Sequence, residues 1–159
     1  MTIAHTPQAS RVVLTLLMQQ MHANLEGDVH GGVILRHIDE SAGIAAHRHC
    51  RRRVVTAGVD RMTFDAPVKV GDLLVVEAQV NQTWNTSLEC GVRVWAEDLS
   101  TGEQRRVASA FLTMVSLDVT GRPTAVPPIQ FVDADDERRA QAAQLRRDGR
   151  LEERRRLQS

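Results

Sequence analysis

The run GGVILRHIDESAGIAAHRHC, from Gly31 to Cys50, decides the fold. Val33, Ile34, Ile38, Ala42, Ala45 and Ala46 recur near every 3.6 residues, which predicts one helix with a single apolar face. Gly31 and Gly32 open it, and His47, Arg48 and His49 put cations where a helix C-terminus favours them. Downstream the sequence reads as strand. Val54 to Phe64, Leu73 to Val80, Leu88 to Ala96 and Val107 to Leu117 are rich in β-branched residues. Turn residues separate them at Pro67 to Gly71, Asn85-Thr86 and Ser100-Thr101-Gly102. Within LECGVRVWA, Leu88, Cys90, Val92, Val94 and Ala96 alternate with Glu89, Gly91, Arg93 and Trp95, as a half-buried strand should. Upstream, Arg11 to Met21 is predicted as a first strand and His22 to His30 as a loop. One strand, a long helix and four more strands on short turns predict an α+β layer, an antiparallel sheet wrapped over one helix.

The composition narrows the function classes. A chain of 159 residues suits one domain and buries roughly two thirds of its extended surface. Twenty basic and 20 acidic residues cancel, so no long-range field draws the chain to nucleic acid or to a membrane. Three Phe, two Trp and no Tyr leave little for base stacking. No apolar run approaches the ~20 residues of a membrane span, and MTIAHTPQAS lacks a basic-then-apolar export pattern, so a cytoplasmic location is expected. Cys50 and Cys90 stand alone, as in a reducing compartment. The segment from Asp133 to Ser159 holds eight Arg and seven acids. Pairs such as Asp135/Arg139 and Glu152/Arg156 predict a solvated helix or packing arm. The expected organisation is one domain over 1–132 and a charged helical tail over 133–159.

Three features carry chemistry. Gly27-Asp28-Val29-His30-Gly31-Gly32 leads into the helix start, where bare N–H groups receive negative charge. Val33-Ile34 follow where a nucleotide-phosphate loop needs Lys and Ser or Thr, so that reading fails; a glycine turn allowing close helix–sheet packing is the plainer alternative. Asp39 sits beside the apolar helix face, where a carboxylate costs free energy unless it is paired or useful; a boundary residue reaching water is the alternative. Asn24 lies in the loop, where turn chemistry alone accounts for many Asn residues. No metal is expected, because His47, His49 and Cys50 splay around a helix end. No Ser, His and Asp group into a triad, and G-x-S-x-G is absent.

Taken together, Asn24 to Gly32 (NLEGDVHGG) and Ile38 to Ile44 (IDESAGI) resemble the hotdog-fold acyl-CoA thioesterases, the YciA-like bacterial enzymes and the cytosolic acyl-CoA hydrolases of animals. The likeness continues through Arg48-His49-Cys50, Val54 to Ala57, Val70-Gly71-Asp72, Ala108 to Phe111 and Val126-Pro127-Pro128, spanning about residues 11 to 130. The resemblance implies hydrolysis of acyl-CoA to free acid and CoA, with Asn24 and Asp39 catalytic and a Gly31 or Gly32 N–H as oxyanion hole. Asp39 serves as base or nucleophile. His30, Val59, Arg61, Thr86 and Ser87 are implied to contact substrate, with no cofactor beyond the substrate's own CoA. It further implies a homodimer with sites at the subunit interface, assembled as a trimer of dimers.

Helix geometry points to the same division. Asp39 lies eight residues beyond Gly31, about 12 Å at 1.5 Å per residue, too far for one helix to supply both donor and base to one carbonyl. Two rivals are a hydroxyacyl dehydratase and a non-catalytic acyl-CoA-binding module. The first requires a His loop motif that is absent, and the second has no need of Asn24 and Asp39 together.

Overall fold

The computed structural model describes residues 4–158. A short helix α1 (Pro7–Ser10) leads into β1 (Val12–Leu17), a 3₁₀ turn at Gln20–His22 and the long helix α2 (Gly31–Cys50). Strands β2 (Val54–Phe64), β3 (Leu73–Thr83), β4 (Ser87–Glu97) and β5 (Gln104–Ser116) follow, and helix α3 (Ala134–Gln158) ends the chain. The five strands form one antiparallel sheet in the order β1-β3-β4-β5-β2.

The helix predicted from periodicity runs over the predicted residues. Ile34, Ile38, Ala42, Ala45 and Ala46 are buried against the inward residues of the sheet, among them Leu74, Val76, Val80, Val92, Ala110 and Leu112. Each fully buried aliphatic side chain contributes about 1.5–3 kcal/mol, and the small Ala face lets α2 lie in the concave sheet. This is the hotdog arrangement. Arg51, with φ of 53°, closes α2 in the left-handed conformation and donates its N–H to His47 O.

Several boundaries differ from expectation for local reasons. The first strand stops at Leu17, opposite the first residue of β3, and Met18 turns inward with its N–H on Asp72 O. Strand β2 has the predicted bounds, β3 runs three residues further than predicted at its end, β4 one at each end, and β5 starts three residues earlier and stops at Ser116 instead of Leu117. His49 is no surface cation: it is 1% exposed and its Nε2 lies 2.8 Å from Pro127 O. Burial holds its pKa below the ordinary histidine value, although the Pro127 carbonyl opposes this.

Glu89, expected on a solvated strand face, is also buried. Helix α3 lies across the outer face of the sheet, and Arg146 grips Glu89 through Nε and Nη2 at 3.0 and 2.7 Å. Arg150 pairs with Asp60, Arg147 stacks 4.4 Å over Trp84, and Trp84 Nε1 donates to Gln144. The first four turns of the charged tail are therefore a docked arm, while residues 151–158 are exposed.

Candidate active site

Asp39 leaves the solvent-facing side of α2 and accepts a hydrogen bond from Thr56 Oγ1 at 2.6 Å. Its neighbour Glu40 is held differently. Arg36 and His37 both bond it at 2.9 Å, and chiefly the Arg36 hydrogen bond lowers its pKa. Asp39 makes no ion pair among the described residues, so of these two carboxylates it is the one without a charged partner. Thr56 reaches it from β2, whose register shifts between Thr56 and Gly58. Such a bulge re-aims neighbouring side chains. Thr56 falls within the resemblance-bearing stretch Val54 to Ala57, but nothing in its local spacing ties it to a residue 17 positions away on another element.

Asn24 performs the turn chemistry and keeps one end free. Its Oδ1 accepts the N–H groups of Glu26 and Asp28 at 2.9 and 3.1 Å, and its own N–H bonds Asp28 O. The side-chain nitrogen makes no hydrogen bond among the described residues, so Asn24 presents a donor. At the helix start, His30 caps α2 with Nδ1 accepting the Gly32 N–H at 3.1 Å. Of the glycine pair, Gly31 holds the N–H without an acceptor among the described residues. A Cβ on Gly32 would come within 3.3 Å of that His30 nitrogen. Within one chain the donor end and Asp39 stay about two helical turns apart.

The remaining predicted substrate contacts do not form one cluster in a single chain. Val59 and Arg61 lie on β2, Val59 46% exposed and Arg61 strained at φ of 43° where the register slips again. Thr86 and Ser87 lie at the far end of the sheet: Ser87 pairs with Val115, whereas Arg61 lies in the register slip between the pairs Asp60–Phe111 and Thr63–Ser109. At least four strand residues, from Val115 to Phe111, separate those levels, about 13 Å. Ser87 Oγ is already met by Arg147. Among the described residues no group of His, Cys, Asp and Glu could hold a metal, and no helix is long and apolar enough to cross a membrane.

A five-stranded antiparallel sheet wrapped on one long helix, with Asp39 at mid-helix, is the hotdog class of fold. Comparison specifies it. Residues 26–103 match the Thioesterase superfamily. An uncharacterized acyl-CoA thioester hydrolase of Bacillus subtilis, YkhA, is 38% identical over 120 residues, 76% of this chain and 70% of that protein. A hexameric acyl-CoA thioesterase solved without ligand superposes with a TM-score of 0.91 at 35% identity, covering 94% of this chain and 96% of that one. An acyl-CoA hydrolase of Staphylococcus aureus, solved with butyryl-CoA, CoA and CoA disulfide, gives 0.90 at 28% identity over 98% and 95% of the two chains. The chain belongs to the hotdog-fold acyl-CoA thioesterases. Single alanine variants of the S. aureus enzyme have also been solved, at an Asn, an Asp and a Thr spaced by 15 and then 17 residues. Asn24, Asp39 and Thr56 have the same spacing.

Proposed function

We propose that the protein hydrolyses acyl-CoA thioesters in a site made by two subunits. The observation that carries this reading is the pair Asp39–Thr56: a carboxylate without a cationic partner, held by one short hydrogen bond. The side-chain nitrogen of Asn24 and the Gly31 N–H of one protomer receive the thioester oxygen as it becomes an oxyanion. Asp39 of the partner subunit, steadied by Thr56, takes the proton of the attacking water. The tetrahedral intermediate collapses by expelling CoA thiolate, a leaving group stable enough to need no strong acid. Direct attack by the Asp39 carboxylate is the alternative first step, through an anhydride that water then opens.

Edge strand β2 supports a second copy. It has 11 residues, an open row of backbone groups and exposed Val59 and Phe64, a surface that natural sheets pair or cover. Pairing two copies there gives a symmetric dimer, and three such dimers give the hexamer seen in relatives. His30 and the backbone beside Val59 and Arg61 then border the CoA path. Thr86 and Ser87 belong to it only where a neighbouring subunit brings them near. The two buried free thiols, Cys50 raised to about 11 chiefly by burial, suit the reducing cytoplasm in which this reading places the protein.

Mixing two inactive variants tests the composite site. Asn24→Ala and Asp39→Ala, co-refolded in equal amounts, form mixed dimers with one intact site each, and thiol release should recover to about a quarter of wild type. No recovery, with mixed dimers demonstrated by mass spectrometry, would place the site within one chain.

A further inference from the structure

The sheet leaves one side of α2 uncovered, and a groove of about 660 Å³ runs there between the edge strands β1 and β2. Leu14 and Leu16 of β1, Ile44 of α2 and Val54 of β2 give it apolar walls. The walls are firm, because Leu14, Leu16 and Val54 pack against the buried core behind them. Glu40, the carboxylate on its border, is already held by Arg36 and His37. Gly43 opens the groove: beyond the backbone of α2 itself, no described atom lies within 4 Å of the point where a Cβ on Gly43 would stand. The groove adjoins the Asp39–Thr56 pair from both sides. Gly43 follows Asp39 by one helical turn on the same side of α2. Val54 precedes Thr56 by two residues, hence on the same face of β2, where pairing with β5 is unbroken.

We propose that this groove takes the acyl chain of the substrate, with medium-chain acyl-CoA of about eight to ten carbons as the preferred class and Gly43 as the residue that sets chain length. From Asp39 to His47, at the far end of the groove, the helix rises about 12 Å. An extended chain advances about 1.3 Å per carbon, given C–C bonds near 1.5 Å at staggered torsions, so about nine carbons fill that length. An acetyl group ends before Gly43 and gains nothing from the groove, whereas an octanoyl chain passes Gly43 and reaches Ile44 and Val54. Each buried methylene is worth about four-fold in affinity. The four added between butyryl and octanoyl, roughly half buried in an open groove, therefore give about ten-fold or more. This assignment rests on the reading of Asp39 as the base at the thioester.

Two measurements on the full-length protein keep the groove and the base apart. In thiol release, wild type should favour octanoyl-CoA over butyryl-CoA by about ten-fold or more in kcat/KM. Calorimetric titration of Asp39→Asn with the same two thioesters should show that preference in Kd, read without turnover. Gly43→Leu fills the open space and should bring both ratios close to one. Ile44→Asn, a change at an exposed position, should lower them several-fold and serves if Gly43→Leu folds poorly. Octanoyl-CoA bound no more tightly than butyryl-CoA, or a preference that survives both substitutions, overturns the proposal. Hydrolysis undiminished in Asp39→Asn, with the chain preference intact and lost in Gly43→Leu, refutes the base and leaves the groove as the acyl site.

Discussion

Replacing Thr56 by Val keeps its shape and removes the hydroxyl that donates to Asp39 at 2.6 Å. A hydrogen bond to a charged group contributes about 1.5–3 kcal/mol, and each 1.4 kcal/mol is ten-fold in rate. Both groups are exposed in the single chain, which places the loss at the low end, about ten-fold in kcat. Asp39→Asn removes the base itself and should cost 10²-fold or more. Thr56 acts only through Asp39, so in the Asp39→Asn background Thr56→Val should cost less than about two-fold, a coupling close to its whole effect. Thr56→Ser restores the hydroxyl and should recover most of the rate. Thiol release from acetyl-CoA and butyryl-CoA reads all four variants. Equal ten-fold losses in both backgrounds would show that Thr56 works independently of Asp39, and the assignment of a held base would fail.

Two further outcomes follow from buried groups. Arg146→Ala strands the Glu89 carboxylate, 1% exposed, and should cost about 3–5 kcal/mol, roughly 9–15 °C of melting temperature for a chain of this size. The paired change Glu89→Leu with Arg146→Met should return most of it, as scanning calorimetry of the three proteins would show. His49 resists protonation when folded, so below its ordinary value of 6.5 the unfolded chain binds a proton that the folded chain does not. Stability should therefore fall as pH drops from 6.5 toward 5, and denaturant titrations of His49→Gln should show a flatter profile over that range.

How far the sequence could be read depended on the range of the interactions involved. The 3.6-residue period of Ile34, Ile38, Ala42 and Ala45 is local, and it marked both the helix and its buried face. The strand between Ser87 and Glu97 was equally clear in period, yet its polar side misled: Glu89 pairs with an arginine 57 residues later, on a helix whose own composition looks solvated. Charge balance describes that helix on average and conceals that Arg146 and Arg150 turn inward to carboxylates. The site shows the same division. Asn24 and Asp39 stood out because loop, glycine pair and helix are contiguous, whereas Thr56 gains meaning only when a bulged strand folds back on α2.

The sequence by itself determined the helix, the run of strands and the family, because periodicity and short motifs act through neighbours within a few residues. The tertiary structure alone decided which carboxylate is held by a hydroxyl and which nitrogen caps the helix. It also decided that Arg146 of α3 meets the buried Glu89 of β4. Those depend on side chains from distant segments reaching within hydrogen-bonding or packing range, and only the folded sheet sets those distances.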